Sequence, residues 1–133
     1  MKALLAEIDA TVSELAANPQ TADLSTHLKI GVQALTNAAE WILDTYESAP
    51  AAVHAGSVPF LKLTGIVVGG WLMGKSALVA AQRIAEGSSD GFYKAKLATA
   101  NYFAAHQLPF AAAYAAEVTG GAASTLGLDE PLF

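Results

Sequence analysis

The sequence predicts an all-α protein, an up-down four-helix bundle whose last helix is kinked. Three observations carry this reading. Alanine supplies 29 of the 133 residues, and alanine is the strongest helix former while filling little space, which favours closely packed helices. Apolar residues recur at alternating steps of three and four over long stretches, the spacing of a helix face turned to a core. Proline, glycine and serine gather between these stretches, where one helix ends and the next begins. No repeat or linker divides the chain, so residues 1–133 are expected to form a single domain.

The first segment runs from Lys2 to Ala17, with Leu4, Leu5, Ile8, Val12 and Leu15 on one stripe and Lys2, Glu7 and Glu14 off it. Asn18-Pro19 ends it, because the residue before a proline is pushed out of the helical region. The second segment runs from Ala22 to Tyr46 or Ser48, its seam formed by Leu24, Leu28, Gly31, Leu35, Ala38 and Ile42, with Thr21 placed as N-cap. Ser48 to Ser57, holding Pro50 and Gly56, is the least regular stretch and has room for a short helical turn.

The third segment runs from Val58 to Glu86, with Pro59 acceptable in its first turn. Phe60, Leu63, Val67, Gly70, Gly74, Ala77, Ala81 and Ile84 form its seam, and Ile66, Val68, Trp71, Leu72, Met73 and Leu78 occupy its other faces. A helix apolar nearly all round is expected to be enclosed on several sides. Gly87-Ser88-Ser89 stops it and Asp90 caps the fourth segment, Gly91 to Thr119, which ends at Gly120-Gly121. Pro109 lies inside that segment, so a kink is expected between Ala105 and Pro109. The stretch after Ala122 reads as irregular, with Leu126, Leu128, Leu132 and Phe133 free to dock.

Composition excludes several functions. The chain has no cysteine, which removes disulfides, thiolate metal sites and thiol nucleophiles. Seven basic against twelve acidic residues give a net charge of −5, the wrong sign for a nucleic-acid surface. Charged residues are only 14% of the chain against a usual roughly 25%. So few charges leave little to coat a monomer, and part of the outside is expected to be covered by something else. The run Leu63 to Met73, bounded by Lys62 and Lys75, is shorter than the roughly 20 residues of a membrane span, and no secretory leader is legible at the start; a membrane role is not expected and a cytoplasmic protein is.

Gly69-Gly70-Trp71-Leu72-Met73-Gly74-Lys75-Ser76 matches the phosphate-binding loop G-x-x-x-x-G-K-[ST] letter for letter. Such a loop needs a preceding strand in a parallel sheet, and no other segment reads as a strand. Its variable positions are Trp, Leu and Met, which would stand bare beside an aqueous phosphate. Gly65, Gly69, Gly70 and Gly74 are better read as small faces that let helices approach. His27, His54 and His106 lie on three different segments without a Glu-x-x-His pair, so no di-iron set is present. Asp23/His27 reads as a surface or capping contact, His106 as a partner for a carbonyl freed at the kink, and Glu40, Asp44 and Glu47 as a solvated face. No catalytic, cofactor-binding or metal-ligating residue is assigned. The packing and interface anchors are Gly70, Trp71, Met73, Gly74, Phe92, Tyr93, Tyr102 and Phe103.

Four runs resemble a known family: Phe60-Leu61-Lys62-Leu63-Thr64-Gly65, Gly69-Gly70-Trp71-Leu72-Met73, Phe92 through Phe103, and Leu108-Pro109. They are similar to the extra C-terminal helical domain of the flavin-dependent acyl-CoA dehydrogenases of the methylthiopropionyl-CoA dehydrogenase-like branch. Leu35, Thr36, Ala39 and Trp41-Ile42 fit the same domain more loosely. The resemblance implies a parent enzyme that oxidises an acyl-CoA thioester at its α,β carbons, a glutamate base taking the α proton and FAD the β hydride. It places base, flavin and CoA contacts in a dehydrogenase body. Neither Glu86-Gly87-Ser88 nor Glu117-Val118-Thr119 has the surroundings of the base motif, and Arg83 is the single arginine. FAD is therefore expected in the parent and not in this chain. The reading is a structural and oligomerisation module, inactive alone, that packs on a dehydrogenase body or on its own copies. The alternative is a stand-alone bundle that serves interaction or binds a small molecule.

Overall fold

A computed structural model describes residues 1–128. Among these residues the chain is all helical: α1 Lys2–Ala16, α2 Ala22–Thr45, α3 Pro50–Ala55, α4 Ser57–Ala85, α5 Gly91–His106, α6 Phe110–Gly120 and α7 Ala122–Thr125. The all-α bundle is as the sequence predicts. The ends of the first three long helices fall within a residue or two of the expected positions, because each end is written by a local residue type. Asp90 accepts a hydrogen bond from the Phe92 backbone N–H at 2.9 Å and caps α5. Gly87 takes φ +91, letting the Ser88 N–H reach the Arg83 carbonyl and the Gly87 N–H the Ile84 carbonyl, both at 3.0 Å. That pairing closes α4 in the left-handed turn that glycine alone enters freely.

Several expectations are corrected. The fourth segment is not one kinked helix but two, α5 and α6, broken at residues 107–109. Pro109 has no N–H and its ring clashes with the carbonyl four residues back. The Leu108 N–H therefore bonds five residues back to the Phe103 carbonyl at 3.2 Å, and Phe110 and Ala111 restart with three-residue bonds. The stretch after α2, where the sequence leaves room for a short helical turn, does hold one, the six-residue helix α3, whereas the start of the expected irregular tail is the single turn α7, which packs on α3. Leu126 and Leu128 are exposed; Leu132 and Phe133 lie outside the described residues. Thr21 stands at the N-cap of α2 without a side-chain capping bond. Its buried hydroxyl donates to the Leu15 carbonyl at 2.7 Å instead.

The core is one cluster of small and medium side chains, among them Ile8, Leu15, Leu28, Leu35, Leu63, Val67, Ala77, Leu97, Ala104 and Leu108. Helix α4 lies at its centre and touches α1, α2, α5 and α6. Residue pairs fix the directions. Thr21 and Ser25 of α2 bond Leu15 and Val12 of α1, so these helices run oppositely. Gly74 lies by Leu24, and Gly31 by Val67, which opposes α2 and α4. Gly69 lies by Phe103, Gly70 by Leu108 and Gly56 by Val118, so α5 and α6 together descend along α4.

The length argument against a membrane span does not survive the structure. Lys62 and Lys75 lie inside α4, and this 29-residue helix is long and apolar enough to cross a membrane by length and composition. Its inner face, however, carries Leu63, Val67, Gly70, Gly74, Ala77 and Ala81 into the protein core.

Candidate interaction surface

The eight predicted anchors separate into two groups. Gly70 and Gly74 are buried contact points: a β-carbon on Gly70 would meet Leu108 Cδ2 at 2.7 Å, and one on Gly74 would meet Leu15 Cδ1 at 2.9 Å. Trp71 is half-buried and donates its indole N–H to Thr11 Oγ1 at 2.8 Å, tying α4 to α1. Met73, Tyr93 and Phe103 are half-buried against the core, the Phe103 ring covering Gly69. Phe92 and Tyr102 point outward, 58% and 62% exposed. Phe92 meets Tyr93 edge to face at 5.6 Å. Tyr102 stacks on His106 at 4.3 Å, so His106 packs on a ring and does not serve a freed carbonyl as the sequence suggested.

Gly65 corrects the glycine reading: nothing lies within 4 Å of where its β-carbon would stand. It belongs instead to a face of α4 that the bundle leaves open. Val58, Leu61, Leu72 and Val79 on that face are each more than half exposed. Helix α4 is thus enclosed on three sides and bare on the fourth. Solitary exposed apolar residues are ordinary, but a line of them along one helix marks a contact surface. Sequence reasoning missed this line because the helix is apolar all round and gives no polar face by contrast. Shallow grooves flank it. One, about 570 Å³, lies between α1 and α4 beside Glu7, Thr11, Glu14, Trp71 and Lys75. Another, about 250 Å³, lies between α4 and α5 beside Ser76, Val79, Phe92 and Lys96.

The phosphate-loop match is dissolved by its backbone. Gly69 to Ser76 lies wholly within α4, where the amide N–H groups are spent on the helix. The Ser76 hydroxyl donates to the Leu72 carbonyl at 3.0 Å, and the Lys75 ammonium sits 4.7 Å over the Trp71 ring. The three histidines stay apart on α2, α3 and α5, and Asp23 forms no ion pair with His27. Among the described residues no three His, Asp or Glu side chains converge on a metal position. Nor does the groove between α1 and α4 fit FAD. A dinucleotide pyrophosphate calls for converging cations or free N-terminal N–H groups, whereas this groove sets Glu7 and Glu14 against one ammonium already held over an indole.

Fold and surface together define an all-α bundle domain with one long, bare, apolar helix face. The family model described as "Acetyl-CoA dehydrogenase C-terminal like" matches residues 4–129, and the chain belongs to that family. It is a C-terminal acyl-CoA dehydrogenase-like domain, as its resemblance implied. The curated 3-methylmercaptopropionyl-CoA dehydrogenase of Ruegeria pomeroyi is 48% identical over 63 residues, a stretch that is 47% of this chain and 11% of that protein. The aligned part is thus a small share of the relative's length.

Proposed function

We propose that this bundle is a structural module of a flavin-dependent acyl-CoA dehydrogenase, holding the enzyme's assembly while the dehydrogenase body performs the oxidation. The observation that carries the proposal is the bare face of α4 in a chain whose family match spans residues 4–129. Such a face is costly in water at roughly 25 cal/mol per Å² of apolar area, and covering it supplies the driving force for docking. In this reading the body brings FAD, the carboxylate base and the CoA contacts. The cytoplasm is the proposed compartment, since acyl-CoA thioesters are too charged to cross a membrane unaided.

Co-expression of the chain with a body polypeptide of the same source tests this. A tag on the bundle is expected to retain a yellow complex that reduces dye with an acyl-CoA, while the bundle alone stays colourless and inactive. Flavin retained by the bundle alone, or a body that neither binds the bundle nor changes its assembly with it, overturns the proposal.

A second reading has one observation in its favour. An apolar groove of about 260 Å³ opens beside Met1, Leu5, Ala39, Ile42, Leu43 and Phe60, where α1, α2 and α4 meet. A stand-alone bundle that takes up a small apolar ligand would use it. Displacement of a bound fluorescent apolar dye, abolished by Ile42→Glu, distinguishes that role.

A further inference from the structure

The bare face of α4 has its own register. Exposed Val58, Leu61, Gly65, Leu72 and Val79, with the half-buried Val68, follow alternating steps of three and four, and Lys75 fills the step between Leu72 and Val79. This is the period of a two-helix seam, two residues out of phase with the seam that faces the core. One helix therefore carries two interdigitating faces, and the bundle uses only one.

We infer that the second seam joins two copies of this chain, α4 against α4 in parallel about a two-fold axis along the helix. The inference rests on the reading of this face as an assembly surface and names what covers it. The flanks decide the arrangement. On the α1 side, Glu14 lines a groove with Lys75 and Leu78 of α4. On the α5 side, Lys96 lines a groove with Ser76 and Val79 of α4. The two opposite charges thus lie at the same height on opposite sides of the seam. A two-fold axis along α4 sets each copy's α1 flank against the other's α5 flank, so Glu14 meets Lys96 of the second copy twice. An antiparallel pairing would instead set the two α1 flanks, each carrying Glu7 and Glu14, against each other, which like-charge repulsion opposes. Gly65 leaves a notch that lets the backbones approach, since no neighbour in its own chain fills the place of its β-carbon. Lys75 leaves the seam by leaning over the Trp71 ring on the α1 side.

The chain has no cysteine, so single introduced thiols report one contact each. Val58→Cys and Val79→Cys mark the two ends of the seam. Sedimentation is expected to give twice the chain mass of 13.7 kDa, and mild oxidation to close an intermolecular disulfide in both variants. Glu14→Lys and Lys96→Glu are each expected to raise the dimer dissociation constant about tenfold at low salt, and the double exchange to restore it to within about threefold. A monomer at high micromolar concentration overturns the inference. So does a dimer in which neither thiol pairs with its own equivalent, the signature of an antiparallel seam or another surface. A chain that joins the dehydrogenase body as a single copy removes the dimer and leaves the module standing. A parallel dimer with no affinity for the body does the reverse.

Discussion

Gly70 and Leu108 occupy one space: a β-carbon on Gly70 would stand 2.7 Å from Leu108 Cδ2 and 3.2 Å from two further Leu108 carbons. Leu108 comes from the break before Pro109, and it also covers Gly31 of α2, at 3.4 Å from that glycine's β-carbon position. One side chain from an interrupted helix thus seats on two glycines of two other helices. The missing side chains are what let α2, α4 and α6 meet.

Gly70→Ala and Gly65→Ala are expected to move stability in opposite directions. At Gly70 the new methyl collides with the buried Leu108 side chain, whose Cδ2, Cδ1 and Cγ all stand within 3.2 Å of it. Overpacking of about 1–3 kcal/mol outweighs the roughly 1 kcal/mol gained in helix propensity. At Gly65 a β-carbon meets nothing within its own chain, so in the monomer only the propensity term acts, and a gain of about 0.5–1 kcal/mol is expected there. Urea unfolding of the two variants shows the sign directly as midpoints on either side of the wild type.

Leu108→Ala is expected to cost about 2–5 kcal/mol, the range for a buried leucine truncated to a cavity. Pro109→Ala is expected to cost less than about 1 kcal/mol, because the buried Leu108, not the exposed proline ring, holds the break in place. Thermal unfolding of both variants checks the order. A proline variant as damaged as the leucine variant would show that local geometry alone sets the interruption.

Thr11→Val leaves the Trp71 indole N–H without its 2.8 Å partner while keeping the side-chain volume. The indole is half-buried, so water recovers part of the bond and a loss of about 1 kcal/mol is expected. Thr11→Ser keeps the hydroxyl and should retain most of the stability. Tryptophan emission distinguishes the pair, since only the valine variant alters the environment of the indole nitrogen.

Asp90→Ala removes the acceptor from the Phe92 N–H and is expected to cost about 1 kcal/mol. Amide exchange gives the specific readout: the Phe92 N–H loses protection while the centre of α4 does not. Asp90→Ser, another good cap, should restore most of it.

Helix ends were legible because they are local. Pro19, Asp90 and Gly87 each act through their own backbone or the next few residues, so their types specify the boundaries without knowledge of the rest of the chain. Pro109 was legible as a disturbance and not in its extent. Whether a proline bends a helix or ends it depends on whether the freed residues find burial, and Leu108 finds it on α2 and α4. The anchors show the same division. Trp71 and Phe103 are recognisable as bulky packing residues, but which of Phe92, Tyr93, Tyr102 and Phe103 turns inward depends on the rotation of α5 against α4.

By itself, the sequence determined the helical class, the edges of most helices and the absence of cysteine, all properties of residue type and spacing. It also carried the family likeness. Only the tertiary structure decided which side of α4 stays bare, because that helix is apolar all round and its composition cannot choose a face. The choice falls to the glycines and alanines that admit α1, α2, α5 and α6 closely on three sides, leaving Gly65 and its neighbours on the fourth.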